Sequence, residues 1–301
     1  MVSIRAAALS LAAIIGCVGP IGPACAYTAA GDRQFPATVL LPQLTPGDEA
    51  YITYNMLPLH SGGPGTPNRS SNFSATYAKT ITDRWGIAIE ETYSRLDQTG
   101  AGTLTGWQNL DGELKYLAVD DPLHEFVMSL GLDRETGGTG AARVGAANSG
   151  ATTPRIYFGK GLGDLDVGYL RPLAVTGLVG MQFADAAPRP DLITAGFVVE
   201  YSIPYLQSKV HSFDLPEMVR GLTPIMEVNF TAPAGKSFGA RTTALVAPGL
   251  SYAGDGWEFA VEALLPATRA TGSGIGVTAQ VHVALDFLFP NSIGRPLFSS
   301  Q

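Results

Sequence analysis

Residues 275–289 alternate without a break: Ile275, Val277, Ala279, Val281, Val283, Leu285, Phe287 and Phe289 on one side, Gly276, Thr278, Gln280, His282, Ala284, Asp286 and Leu288 on the other. A period of two sends successive side chains to opposite faces of a strand. Strands of globular proteins peak near ~5–6 residues. A run this long suits a tilted membrane strand of about 9–11 residues with extensions. Residues 257–265 repeat the pattern, with Trp257, Phe259, Val261, Ala263 and Leu265 opposite Glu258, Ala260, Glu262 and Leu264. The same period predicts twelve strands, at roughly 49–57, 71–82, 85–97, 106–119, 123–134, 153–160, 170–183, 191–204, 222–232, 241–252, 256–265 and 274–289. An even number lets an antiparallel barrel close with both chain ends on one side.

Composition points the same way. Hydrophobic residues make up 46% of the 301 and charged residues only 15%, against about 25% charged in a soluble domain. Beyond the first 26 residues, apolar uncharged runs such as 172–184 stop at 13 residues. A spanning helix needs about 20. In a bilayer every backbone polar group must find a partner within the protein, which leaves the closed barrel. The expected fold is all-β, an antiparallel up-and-down transmembrane β-barrel. The connections 82–84, 120–122 and 253–255 are minimal, whereas 61–70, 98–105 and 136–152 are long and rich in Gly, Ser, Thr and Pro. Short turns at one rim and long loops at the other mark outer-membrane barrels. Leu206, Val210, Phe213 and Met218 predict a short amphipathic helix at the periplasmic rim. Trp85, Tyr93, Trp107, Tyr116, Tyr201, Tyr252, Trp257, Phe287 and Phe289 are expected at strand ends, as interfacial girdles.

Outside the barrel, Arg5, the apolar stretch 6–15 and Ala24-Cys25-Ala26 read as a signal peptide over 1–26. Ile14-Ile15-Gly16-Cys17 resembles a lipobox, an alternative cut that would leave Cys17 lipidated. Both cysteines lie in this leader, so no disulfide is expected. Residues 27–48 are expected as an extended N-terminal segment, 49–289 as the barrel and 290–301 as a C-terminal tail.

Motifs for chemistry fail on spacing. Gly235-Lys236-Ser237 lacks the first glycine of a phosphate loop, whose place holds Phe230. No helix is expected after Gly138-Thr139-Gly140. His124-Glu125 lacks the second histidine of a zinc-protease helix, since Met128 stands there. The four histidines are far apart. Hence no catalytic residue, metal or cofactor is expected. A net charge of −7 argues against nucleic acid as a partner.

What the expected polar faces do carry is acid: Glu90, Glu113, Glu200, Glu227, Glu258, Glu262 and Asp286, with Gln280 and His282 beside them. Lys115 and Arg155 are the inward bases. These eleven residues are the expected lumen lining. Glu258, Glu262 and Asp286 are expected to form one negative patch on the last two strands. Carboxylate rings favour cations in pores. The competing arrangement is a closed lumen in which acids pair with bases and hydroxyls. Acids outnumber the bases, so water is expected to reach them. Twelve strands fall between the eight that side chains fill and the sixteen of open porins, so any channel is narrow.

Glu200-Tyr201-Ser202-Ile203-Pro204-Tyr205-Leu206-Gln207-Ser208, Pro248-Gly249-Leu250-Ser251-Tyr252, Gln280 with Leu285-Asp286, Phe289-Pro290 and Gly294-Arg295-Pro296-Leu297-Phe298 form an ordered series. Over about 155–298 the chain resembles transporter-like Gram-negative outer-membrane barrels of the phenol-degradation-pathway type. The resemblance implies a barrel and supplies no catalytic residues. It departs in its end: many such barrels finish on an aromatic residue read by the barrel-assembly machinery, whereas here a tail follows Phe289. The expected function is a narrow passive outer-membrane channel or uptake porin for small molecules or ions, partnered by lipid and the assembly machinery. A non-conducting structural or adhesive barrel is the alternative, and a secreted soluble β-sandwich binder the third.

Overall fold

The computed structural model describes residues 28–60 and 62–298. The expected leader lies outside them. A short hairpin, β1 (Thr28–Ala30) and β2 (Arg33–Phe35), comes first. The wall follows as β3 (Glu49–Pro58), β4 (Pro67–Thr80), β5 (Trp85–Gln98), β6 (Ala101–Trp107), β7 (Leu110–Asp121), β8 (Phe126–Thr136) and β9 (Ala151–Gly161). It continues through β10 (Leu173–Ala184), β11 (Asp191–Tyr201), β12 (Leu222–Ala234), β13 (Thr243–Gly254), β14 (Trp257–Pro266) and β15 (Gly276–Ala284). Every wall pairing is antiparallel, and β15 returns to β3, with Val281 opposite Ile52. β6 and β7 are two halves of one barrel strand: β6 pairs with one end of β5 and β7 with the other. The ring is therefore closed and twelve-stranded.

Three expectations need correction. The stretch 98–105 is no loop: Thr99-Gly100 makes a tight turn, Gly100 at φ +63°, and β6 runs on from it. The expected strand 106–119 is broken at Gln108-Asn109, where the Asn109 amide donates to Glu135 and to the Ala147 carbonyl. The last strand stops at Ala284, not near Phe289. There the Leu285 N–H turns to the Asp48 carbonyl (2.8 Å) and a helical turn, α3 of residues Leu285–Leu288, begins. Leu285 is thus buried rather than lipid-facing. Numbering the helical pieces in chain order, α1 (Ile203–Tyr205), extended by a wider turn over Leu206–Val210, and α2 (Glu217–Arg220) occupy the same rim. The tail folds back on the β4–β5 turn, with the Leu297 and Phe298 N–H groups donating to the Thr80 and Ile81 carbonyls.

Outward positions form an apolar belt that includes Ile52, Ile89, Leu132, Val179, Phe197 and Val281, all exposed. Aromatic pairs flank it. Trp85–Tyr116 and Tyr252–Trp257, with ring centroids 4.7 and 5.8 Å apart, lie towards the rim of the chain ends. Tyr93–Trp107, at 5.1 Å, lies towards the loops.

The N-terminal segment lies inside the barrel. Phe35, Leu41 and Leu44 pack against the inward residues Val127, Tyr157, Leu178, Val198 and Ile225. A side chain at Gly196 would collide with Leu41, and a Cβ at Gly159 would come within 2.8 Å of Leu44 Cδ1. On β10 the outward face, with Val179, meets lipid, while inward Ala174 and Leu178 join the core around the segment. Burying a Leu or Phe side chain stabilises by roughly 1.5–3 kcal/mol.

Arg at Val281, mid-strand and 48% exposed beside Ile52 and Phe259, is expected to cost about 2–4 kcal/mol. Arg at Leu123, in the exposed β7–β8 turn, should cost little. Urea unfolding in lipid vesicles, followed by tryptophan fluorescence, measures both, and equal costs would place the belt elsewhere.

Candidate functional site

An extended backbone carries one N–H and one C=O per residue, and each needs a partner once buried. Within the lumen, the wall supplies partners for the segment as side-chain carboxylates. The Ala37 N–H donates to Glu258 Oε2 (3.0 Å). Val39 and Leu40 N–H donate to the two oxygens of Glu227 (2.7 and 3.0 Å). Ser251 also donates to Glu258. Glu262 lies beside Glu227, in space that exists because residue 249 is glycine: a Cβ there would sit 2.5 Å from Glu262 Cγ. Lys115 donates to the Gln43 carbonyl and pairs with Glu113 (3.2 Å). At the end of the segment, Asp48 pairs with Lys79 and accepts the Thr80 N–H (3.1 Å).

The rim of the chain ends is closed by Arg33, which is fully buried. Its guanidinium donates to Glu125 Oε2 (3.1 Å) and to the carbonyls of Arg171, Pro172 and Leu173. It also lies over the Tyr205 ring, 4.0 Å from the centroid. Glu125 follows a helical turn in the left-handed region, φ 49°, which aims its carboxylate at Arg33, Tyr205 Oη (2.8 Å) and the Gly163 N–H (3.1 Å). Burial and the Glu125 carboxylate push the Tyr205 phenol up to about 12. Tyr205 therefore stays protonated and donating at neutral pH.

Towards the loops the lumen is open. Two cavities, of about 310 and about 230 Å³, share Pro42, Tyr51, Glu90 and Arg155. Val39, Leu40, Leu41 and Pro42 form the floor of the first.

Of the residues expected in the lumen, Glu90, Glu113, Arg155 and Gln280 line these cavities. Lys115, Glu200, Glu227, Glu258, Glu262 and His282 are buried in the wall around the segment. His282 Nε2 meets Glu49 Oε2 (2.7 Å), and neither oxygen of Glu200 has a hydrogen-bond partner among the described residues. Asp286 departs from expectation: it is exposed on α3, beyond the end of the wall. Hence the expected patch with Glu258 and Glu262 does not form. Of the surplus acids that water was expected to reach, Glu227 and Glu258 take backbone N–H groups. Sequence reasoning missed Arg33, Asp48, Tyr51, Asp111, Asp133 and Glu135. Of these, Asp111 could have been found by parity, since it shares a face with Glu113.

No family model matches the chain, and no curated protein matches it. Among solved structures it is similar to an outer membrane channel from Pseudomonas putida F1, at 10% identity and TM-score 0.55, covering 83% of this chain and 99% of that one. It is also similar to a KdgM porin, at 11% identity and TM-score 0.47 over 78% and 98%. A third is LpxR from Salmonella typhimurium, at 10% identity and TM-score 0.46 over 78% and 99%. The chain is a closed β-barrel of the outer-membrane type. Its apolar belt flanked by paired aromatics is the surface of a bilayer-spanning barrel.

Removing a carboxylate from the lumen strands the N–H groups it serves, at about 1–3 kcal/mol per orphaned group. Glu227→Ala is therefore expected to expose residues 36–44 to limited proteolysis in detergent, while Glu227→Gln, which keeps one acceptor oxygen, does so less. Equal cleavage in wild type and Glu227→Ala would mean that these bonds do not hold the segment.

Proposed function

We propose that the protein is a narrow passive outer-membrane channel for small molecules, with its own N-terminal segment closing the lumen at rest. The observation that carries this reading is the pair of adjoining cavities above the segment, the first floored by Val39–Pro42 and the second walled by acids. The segment is held there by hydrogen bonds, ion pairs and apolar contacts, all of which can break and re-form. Twelve strands also leave room for a lumen, between barrels that side chains fill and open porins. The residue series over 155–298 supports a relation to barrels of the phenol-degradation-pathway type.

In this reading the protein is exported by the leader of residues 1–26 and inserted by the barrel-assembly machinery. Its partners are lipid and a small solute, and it performs no catalysis. One observation favours the non-conducting alternative: Phe35, Leu41 and Leu44 fill the lower lumen with an apolar core.

Planar-bilayer recording separates the two. Wild type is expected to be closed most of the time, with small conductance steps. A variant lacking residues 28–46 should give larger and more frequent steps. Cation preference should fade between 0.1 and 1 M KCl, as the Debye length falls from ~10 to ~3 Å. A deletion variant that folds, as judged by heat-modifiable migration, yet stays silent would leave the non-conducting barrel as the better account. A preference for anions would remove the acidic lumen from the mechanism.

A further inference from the structure

Five carboxylates surround the cavity on the β5–β8 side: Glu90, Asp111, Glu113, Asp133 and Glu135. Three have a base. Glu113 pairs with Lys115 (3.2 Å), Asp133 with Arg155 (3.2 Å) and Glu135 with Arg189. Glu90 and Asp111 have none among the described residues. They are direct cross-strand partners in the β5–β7 register. Side chains so placed have Cβ atoms about 4.5–5.5 Å apart, and like charges there repel. Among the described residues, Glu90 is steadied by the hydroxyls of Thr76 (3.0 Å) and Thr92 (3.4 Å).

A second observation comes from the adjoining cavity. Gln280 lines it, is 3% exposed, and donates its Nε2 to Thr53 Oγ1 (3.0 Å). Among the described residues its Oε1 has no partner, and neither does Asn55 Oδ1 in the same lining. Gln280 Oε1 and Asn55 Oδ1 can only accept, and the Thr194 hydroxyl of the same lining, also without a partner among the described residues, can accept or donate. Arg155 is its one base and is engaged by Asp133 and Tyr157 (3.5 Å). The Tyr51 ring borders both cavities, and an aromatic face attracts cations. The Val39–Pro42 floor is apolar. Among the described residues, no group of three or more His, Cys, Asp and Glu is arranged to hold a metal ion.

The geometry points to a binding site for a small organic cation in this vestibule: a protonated primary amine carried on an apolar body. The ammonium sits between Glu90 and Asp111, and its apolar part rests on the segment's floor near Tyr51. The site names the solute class of the proposed channel, and it rests on that reading only for the solute's passage.

Calorimetry on the full chain in detergent tests binding apart from conduction. The probes are benzylammonium, benzyl alcohol and benzoate, which share a ring and differ in charge. Benzylammonium is expected to bind at least about tenfold more tightly than the other two, ~1.4 kcal/mol. Glu90→Gln/Asp111→Asn should remove that preference. The two single variants, each checked by heat-modifiable migration, serve if the double variant does not fold. Equal binding of all three probes, no binding of benzylammonium at millimolar concentration, or an undiminished preference in the variants would overturn the site. Binding with a silent bilayer overturns only the channel; conduction without binding overturns only the site.

Discussion

Every backbone N–H and C=O of the wall and of the enclosed segment must be satisfied away from bulk water, and the rest of the structure follows from how that is done. In the wall the solution is the closed ladder, each strand pairing on both sides until β15 meets β3. A spanning structure without long apolar helices has no other way to satisfy its backbone. In the lumen the same demand falls on an extended segment with no neighbouring strand edge to join. There the wall answers with side chains: Glu227 and Glu258 take the N–H groups of Ala37, Val39 and Leu40. Charge-assisted bonds of this kind are stronger than neutral ones, which is why buried acids suit the inner face of this barrel.

Packing then divides the lumen into two halves. Towards the rim of the chain ends, small residues such as Gly159 and Gly196 let Leu44 and Leu41 approach the wall. Large apolar residues close the remaining space into a core. Towards the loops the inner face changes to Thr53, Asn55, Thr194, Asn229 and Thr231, and the space stays open. The segment crosses between the halves, so its side chains are the core of one and the floor of the other.

The wall was legible in the sequence because its two environments, lipid and lumen, repeat every second residue. Trp257-Glu258-Phe259 states both faces in three residues. The alternation misled at Gln108-Asn109, where the strand breaks, and at its end, where 285–289 keeps the period in sequence while the Asp48 carbonyl captures Leu285 and a helical turn begins. Period is a local property, and that capture depends on a residue more than 200 positions away. The segment was illegible as a plug for the same reason. Residues 34–47 carry no charge, an unusual stretch for a solvated arm, and that was the signal available. Nothing local tells that Val39 and Leu40 meet Glu227. Of the acids expected on the inner face, Asp286 lies outside it on α3, and Glu227 and Glu258 are partnered by backbone N–H groups, which no residue spacing reveals.

The way the segment is held bears on what it can do. Its polar holds are discrete and sit at different depths: Arg33 against Glu125 at the rim, Glu258 and Glu227 within, Lys115 on the Gln43 carbonyl, and Asp48 with Lys79 at its end. Ordering an extended chain costs conformational entropy at every residue, whereas apolar burial rewards only the positions that face the core. In the proposed channel, the closed state would therefore lean on the polar holds. A buried carboxylate that loses its donors has no water to turn to, so release requires water to enter as the segment leaves. Departure and hydration of the lower lumen are in this sense one event. The acids that anchor the segment when the lumen is dry would line a negatively charged passage when it is wet.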